Sequence, residues 1–240
     1  MHIGGFQKNT LIDFPGEIAC LVFTPGCNFT CPYCHNPALA AGPVNRAGTD
    51  KKTAPEFTEE EIFAFLKRRR GMIQGVAITG GEPTLQKDLP DFIRRVRDMG
   101  FKIKLDSNGT RPAILARLME QGLVDYLAMD IKTDLEHYPL VMKNTSEVES
   151  IRESIDLIMD KALGYEFRTT CARPFITREI MAKIGKMIQG ASTYILQNCS
   201  RNVDILDPSF LTDDHHFFTQ DEMEDLKQTI SPFVQKAAIR

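Results

Sequence analysis

Glu17-Ile18-Ala19-Cys20-Leu21-Val22-Phe23-Thr24, followed after Pro25-Gly26 by Cys27-Asn28-Phe29-Thr30-Cys31-Pro32-Tyr33-Cys34, decides the reading of this chain. The first run is apolar and β-branched, as a buried strand requires. The second places three cysteines at a CxxxCxxC spacing just beyond that strand. They can converge on one inorganic centre, because four peptide steps reach only about 13–14 Å when extended. A [4Fe–4S] cluster normally takes four protein thiolates. Three close cysteines with no obvious fourth imply one iron left open, and an open position marks a catalytic rather than a structural centre. A Cys₃His zinc site using His35 is the competing reading. Structural zinc sites usually pair two CxxC-like knuckles, and the sequence has no second one.

Outward from this motif, apolar runs alternate with helical patterns. Gln74 to Thr79, Lys102 to Asp106, Val124 to Ile131, Tyr165 to Cys171 and Thr193 to Asn198 read as further strands. Thr58 to Arg70, Leu89 to Met99, Arg111 to Glu120, Ser150 to Ala162 and Thr177 to Ile188 read as helices between them, with Thr219 to Lys236 closing the chain. Thr58 with Glu61 forms a capping box. Leu89, Phe92, Ile93, Val96 and Met99 recur at the helical period, and Gly100, Gly122 and Gly164 are helix stops. Six βα units predict a parallel sheet covered by helices, with right-handed crossovers. They are too few for an eight-stranded barrel. The expected fold is α/β, an open partial (βα)6 barrel, as a single domain over 1–240 with its core at about 17–199 and its last helix at about 219–236. Asn36 to Phe57 lacks periodicity and is long enough to be a functional or mobile loop.

Composition narrows the function classes. Apolar residues are 42% and charged residues 25% of 240, an ordinary globular balance. A net charge of -3 asks for no nucleic acid. No apolar run is long enough to span a bilayer, and Met1 to Thr10 does not look like a secretory signal. The expected setting is a reducing cytoplasm, where clustered cysteines serve as metal ligands or redox thiols. An exposed low-potential cluster further suggests an anaerobic context.

Polar residues gather where strands end. Thr79-Gly80-Gly81-Glu82-Pro83-Thr84 follows the second strand. Its glycines allow close backbone approach, and Glu82 could pair with an ammonium. Asp106, Ser107 and Asn108 end the third strand. Asp130 ends the apolar fourth strand, where a carboxylate is costly unless paired; Lys132 or a cation would answer it. Arg168 on the fifth strand needs an anion, and Gln197 lies on the sixth. Each alone is ordinary turn or strand chemistry. Together they put polar groups at the same ends of successive strands, the active side of parallel βα folds.

The strand, CxxxCxxC with Tyr33 before the last cysteine, and GGEP together resemble the radical S-adenosylmethionine (SAM) superfamily. Asp13-Phe14-Pro15-Gly16, Gly26-Cys27-Asn28, Tyr33-Cys34-His35-Asn36-Pro37, Leu105-Asp106-Ser107-Asn108-Gly109, Ala128-Met129-Asp130-Ile131-Lys132 and Tyr165-Glu166-Phe167-Arg168-Thr169-Thr170 resemble its glycyl-radical-enzyme activating proteins. The match is nearest the longer type that serves anaerobic ribonucleoside-triphosphate reductase, and runs from about Gly5 to Gln197. The resemblance implies that Cys27, Cys31 and Cys34 hold three irons and that the fourth binds S-adenosylmethionine. Gly80, Gly81 and Glu82 would hold its methionine end. Tyr33 and His35 would line the adenine pocket, with Gln197 opposite. Asp106, Asp130 and Lys132 would lie near the carboxylate and ribose, with Asp106, Ser107 and Asp130 as the surroundings of a monovalent cation. Arg168 would fix the ligand carboxylate.

The implied activity is reductive cleavage of S-adenosylmethionine and hydrogen-atom removal from a glycine of a partner glycyl radical enzyme, fed by an electron donor such as flavodoxin. The alternatives are activation of pyruvate formate-lyase or another glycyl radical enzyme, and a radical reaction on a small molecule. Cys20 reads as a core thiol. Cys171 and Cys199 end strands and are too few for a second cluster, and the ferredoxin-like insert of some activating enzymes is missing between Asn36 and Phe57. Lys67-Arg68-Arg69-Arg70 and Arg94-Arg95-Val96-Arg97 read as solvated helix faces or as a dock for an acidic donor.

Overall fold

The computed structural model describes residues 1–40 and 57–240. Its strands are β1 (Gly5–Thr10), β2 (Ala19–Thr24), β3 (Gly75–Gly80), β4 (Lys102–Ser107), β5 (Tyr126–Asp130), β6 (Tyr165–Cys171), β7 (Tyr194–Asn198) and β8 (Ala237–Ile239). Its helices are α1 (Pro37–Ala40), α2 (Glu59–Arg69), α3 (Leu89–Asp98), α4 (Pro112–Glu120), α5 (Val148–Lys161), α6 (Arg178–Met187) and α7 (Gln220–Ile230). The strands follow one another in sequence order in one sheet, β1 to β8. β1 runs antiparallel to β2, whereas the pairs β2–β3, β3–β4, β6–β7 and β7–β8 are parallel. The expected α/β sheet of mostly parallel strands is therefore present, with its strands in linear order. Most of Asn36 to Phe57 lies outside the described residues.

The chain forms two compact units. The first comprises Met1–Cys27, Ala38–Ser107 and Ala113–Leu127. Here β2 and β3 pair from Ala19↔Gly75 to Thr24↔Gly80, so both strands end level and their turns leave side by side. Ala19 to Val22 and Val76 to Ile78 are buried almost without break, as a strand covered on both faces demands. α3 closes one side with Leu89, Phe92, Ile93 and Val96. The Thr58–Glu61 capping box starts α2 as expected. Asp125 Oδ2 accepts from Arg97 Nη1 at 2.6 Å and from the Ile103 amide at 2.7 Å, fixing the entry to β4.

The two basic runs lie in this unit and have local uses. Arg95 stands over the Phe63 ring at 3.9 Å and pairs with Glu59. Arg94 pairs with Asp91 at 2.7 Å. Arg70 Nε donates to the Met99 carbonyl at 3.0 Å. Arg70 precedes β3, so it lies toward the opposite strand ends from Cys27, with a six-residue strand of about 17 Å between those ends. These positions favour solvated helix faces over an electron-donor dock.

The second unit comprises Asn28–Pro37, Asn108–Pro112 and Ala128–Arg240. α5 buries Ile151, Ser154, Ile155 and Ile158. In α6, a Cβ at Gly185 would collide with the Phe233 ring, so glycine is what lets the C-terminal segment pack there. The predicted strands and helices keep their limits to within about two residues except the closing helix, and β1, α1 and β8 are additional. β1 shows no apolar run because it is an edge strand with Gln7, Lys8 and Asn9 exposed. The closing helix stops at Ile230 rather than Lys236, because Pro232 cannot continue it; the chain then adds β8 beside β7.

β8 delivers Arg240 to Glu166, a carboxylate only 1% exposed. The pair is bidentate, with Nη1–Oε1 at 3.1 Å and Nη2–Oε2 at 3.0 Å. Arg240→Ala should lower the unfolding free energy by about 2 kcal/mol, read as a urea midpoint shift at unchanged slope. A shift below about 0.5 kcal/mol, the range of an ordinary surface substitution, would mean that the pair adds no net stability.

Candidate cofactor site

In the first unit the cysteine motif begins where β2 ends, and the turn after β3 is welded to it. The Gly81 amide donates to the Thr24 carbonyl at 2.8 Å, and the Glu82 amide to the Gly26 carbonyl at 2.7 Å. Gln86 Nε2 donates to the Pro25 carbonyl at 2.9 Å. Gly80 has φ +120, and a Cβ there would strike the Thr24 backbone; one on Gly81 would strike Gly26. The double glycine therefore serves backbone packing against the segment leading into Cys27.

Glu82 is 1% exposed. Its Oε1 accepts from the Thr84 amide at 3.1 Å, the Thr84 hydroxyl at 2.5 Å and the Ser107 hydroxyl at 3.0 Å. Ser107 and Glu82, both singled out from sequence, thus meet. Asp106 takes the ammonium of Lys104, a lysine only 1% exposed. Sequence reading passed over Lys104, although it lies two residues from Asp106 and so on the same strand face.

In the second unit Asp130 lies between two cations. Arg168 Nε donates to Oδ1 at 2.9 Å and Lys132 Nζ to Oδ2 at 3.1 Å. Burial alone would raise the Asp130 pKa, but Arg168 and Lys132 outweigh it and hold the carboxyl well below its usual range. Lys132 is held high despite burial, by Asp130 first and then by Cys31. Arg168, expected at a ligand carboxylate, is placed on Asp130 in the structure. Gln197 lies opposite Thr170 in the β6–β7 register and is half-buried.

The Tyr33 ring packs against Phe175 and Phe210, with centroids 5.2 and 6.0 Å away. Its hydroxyl is buried and has no hydrogen-bond partner among the described residues. Beside it, His35 Nε2 lies 3.9 Å from Cys199 Sγ. Burial and the Lys132 charge lower the His35 pKa. Burial pushes the thiol of Cys199 up to about 11 and those of Cys171 and Cys20 up to about 12, so these three read as thiols of the interior.

Asn28, inside the cysteine motif, is the largest omission of the sequence reading. It meets Asn108, Thr110 and Glu147. Asn108 and Thr110 stand in the strand-end motif already noted. Glu147 lies 119 residues from Asn28 and carries no local signal.

Asp130→Asn removes the shared counter-charge of Arg168 and Lys132 and should cost about 3 kcal/mol at neutral pH. The folded pKa of Asp130 lies below its unfolded value of about 4. Its contribution is therefore complete above the usual carboxylate range and lost as pH falls through the lower folded value. The gap between wild type and Asp130→Asn in urea unfolding should narrow on acidification; a gap that widens would contradict this charge assignment.

Residues 21–184 match the family model of the Radical SAM superfamily. A Methanocaldococcus jannaschii protein, provisionally assigned as a glycyl-radical enzyme activating enzyme, is 32% identical over 200 residues, which is 81% of this chain and 78% of that one. A provisionally assigned GTP 3′,8-cyclase of Pyrococcus abyssi is 32% identical over 119 residues, 49% of this chain and 36% of its own. Among solved structures, TYW1 with a lysine–pyruvate adduct bound superposes with a TM-score of 0.60 at 19% identity, over 89% of this chain and 73% of that one. That likeness speaks to the fold. The family match and the colinear archaeal relative go further: the chain belongs to the radical SAM superfamily, whose cofactors are a [4Fe–4S] cluster and S-adenosylmethionine.

Proposed function

We propose that this chain is an activating enzyme that removes a hydrogen atom from a glycine of a glycyl radical enzyme, and that its partner is an anaerobic ribonucleoside-triphosphate reductase. The observation that carries the reading is identity spread over 81% of this chain and 78% of the archaeal activating-enzyme relative. The finer choice of partner is supported by the sequence motifs at Asp106–Gly109, Ala128–Lys132 and Glu166–Thr170.

The residues fit the cofactors. Cys27, Cys31 and Cys34 are soft thiol donors outside any disulfide, the set an iron–sulfur cluster takes. The buried Tyr33 hydroxyl, without a partner among the described residues, leaves a polar atom that a bound group could satisfy. When bound, the cluster and S-adenosylmethionine supply one-electron chemistry able to abstract a hydrogen atom. Lys132 lies close enough to Cys31 and Cys34 for their charges to help hold it protonated, after Asp130. Asp130, held ionised by Arg168 and Lys132, offers a fixed acceptor. Glu82 holds its turn rigid through Thr84 and Ser107. A flavodoxin-like donor would supply the electron.

Action on a small molecule is the second reading, supported by the cyclase similarity. That similarity spans about half of this chain and about a third of the cyclase, which weakens it. A monovalent cation at Asp106 or Asp130 would have to compete with Lys104, Lys132 and Arg168.

Two experiments test the proposal. Cys31→Ala should abolish iron and sulfide uptake on anaerobic reconstitution while Cys20→Ala retains it; equal uptake by both would remove Cys31 from the cluster. Reduced protein, S-adenosylmethionine and an anaerobic reductase should give a glycyl-radical doublet by electron paramagnetic resonance. A doublet with pyruvate formate-lyase alone moves the partner, and turnover on GTP with no doublet from either sinks the activating role.

A further inference from the structure

We infer that Glu147 is a positioning residue for the cysteine loop, fixing through Asn28 the tripeptide that separates Cys27 from Cys31. The inference rests on the proposal above that these cysteines hold the cluster.

Asn28 has its polar capacity committed. Nδ2 donates to Thr110 Oγ1 at 2.8 Å and to Glu147 Oε2 at 3.0 Å. Oδ1 accepts from Asn108 Nδ2 at 2.8 Å. The Asn28 carbonyl accepts from the Lys143 amide at 3.1 Å. The next two residues are laced to the same connection: Phe29 bridges Met142, and the Thr30 amide donates to the Val141 carbonyl at 2.8 Å. Residues 28–30 are thus a fixed spacer between two proposed ligands.

Glu147 has a special place in this network because of polarity. A hydroxyl rotates to donate or accept, and an amide side chain can present either end. The chain Thr110 N to Asn108 Oδ1, Asn108 Nδ2 to Asn28 Oδ1, and Asn28 Nδ2 to Glu147 needs a defined direction. At one end stands a backbone N–H, which can only donate. At the other stands an ionised carboxylate, which can only accept. Arg111 Nη1, 3.0 Å from Oε1, holds that carboxylate in place with Asn144. Glu147 is 17% exposed on its side chain. Burial works against its ionised form, while Arg111 and Asn28 keep its pKa lowered. Groups behind a metal's own ligands typically change affinity about 10–100-fold when removed.

The test is a polarity swap. Glu147→Gln turns its amide nitrogen toward either Asn28 Nδ2 or Arg111 Nη1, donor against donor in both cases, and Asn28→Asp sets two carboxylates together. The double variant rebuilds the contact with donor and acceptor exchanged. After anaerobic reconstitution, each single variant should lose its cluster to a chelator about tenfold faster than wild type and show an altered electron paramagnetic resonance line shape when reduced. The double variant should recover most of the loss rate and the wild-type line shape. Single variants with the wild-type rate, or a double variant no slower than the faster single, overturn the inference. If Glu147→Gln does not fold, Arg111→Met decides, since it removes the cation that holds the other carboxylate oxygen. A faster loss supports the role and an unchanged rate refutes it. Wild-type protein that takes up no iron or sulfide would instead refute the cluster assignment itself.

Discussion

Two turns share a space that has no room for a side chain. A Cβ on Gly80 would enter the Thr24 backbone and one on Gly81 the Gly26 backbone. The level register of β2 and β3 makes the contact necessary, because both strands end at the same height. The amides of Gly81 and Glu82 then close onto Thr24 and Gly26. The path of the chain into Cys27 is therefore set by the turn after β3. It also makes Gly81 a poor probe of ligand binding: any larger residue moves the cysteine segment first.

Charge compensation is the second organising fact. Glu82, Asp106, Asp130 and Glu166 lie at or near strand positions where an ionised carboxylate is expensive. Each is met by groups of its own unit: Thr84 and Ser107, Lys104, Arg168 with Lys132, and Arg240. Within each unit the result is a set of acceptors and cations fixed by one another. The resemblance implied a ligand carboxylate for Arg168, and its place in a strand asked for an anion. The structure meets that need with Asp130, one strand away.

Much of the fold was legible because its strands are buried on both faces and its helices carry caps. Thr58 with Glu61, and the stripe from Leu89 to Val96, are local signals that packing does not override. β1 and β8 were not legible: an edge strand needs no apolar face, and a three-residue strand is too short for a period. The site divides in the same way. Glu82, Ser107, Asp130 and Lys132 were singled out because each stands at a strand end with an unusual cost or turn signal. Lys104 was missed because a lysine two residues from an aspartate is common on exposed strands, and only burial makes this one unusual. Asn28 and Glu147 were missed because their meaning lies in a contact between distant segments.

The loops that sequence reading left without structure are what hold the cysteine segment of the second unit. The connection after β5 pairs with residues 28–30 through Val141, Met142 and Lys143. The connection after β7 takes the next stretch: the Asp207 amide donates to the Pro32 carbonyl at 3.0 Å, and Phe210 packs on Tyr33. Phe210 is itself fixed by stacking on His216 at 3.9 Å, whose Nδ1 meets the Phe210 carbonyl. Nearly every residue from Asn28 to Tyr33 thus has a partner supplied by one connection or the other. Holding the segment this way does not draw on the affinity of the group it binds, so the cost of ordering the loop is met at folding and not at loading. A stretch that reads as spacers between cysteines is, from Asn28 to Tyr33, held by residues more than a hundred positions away.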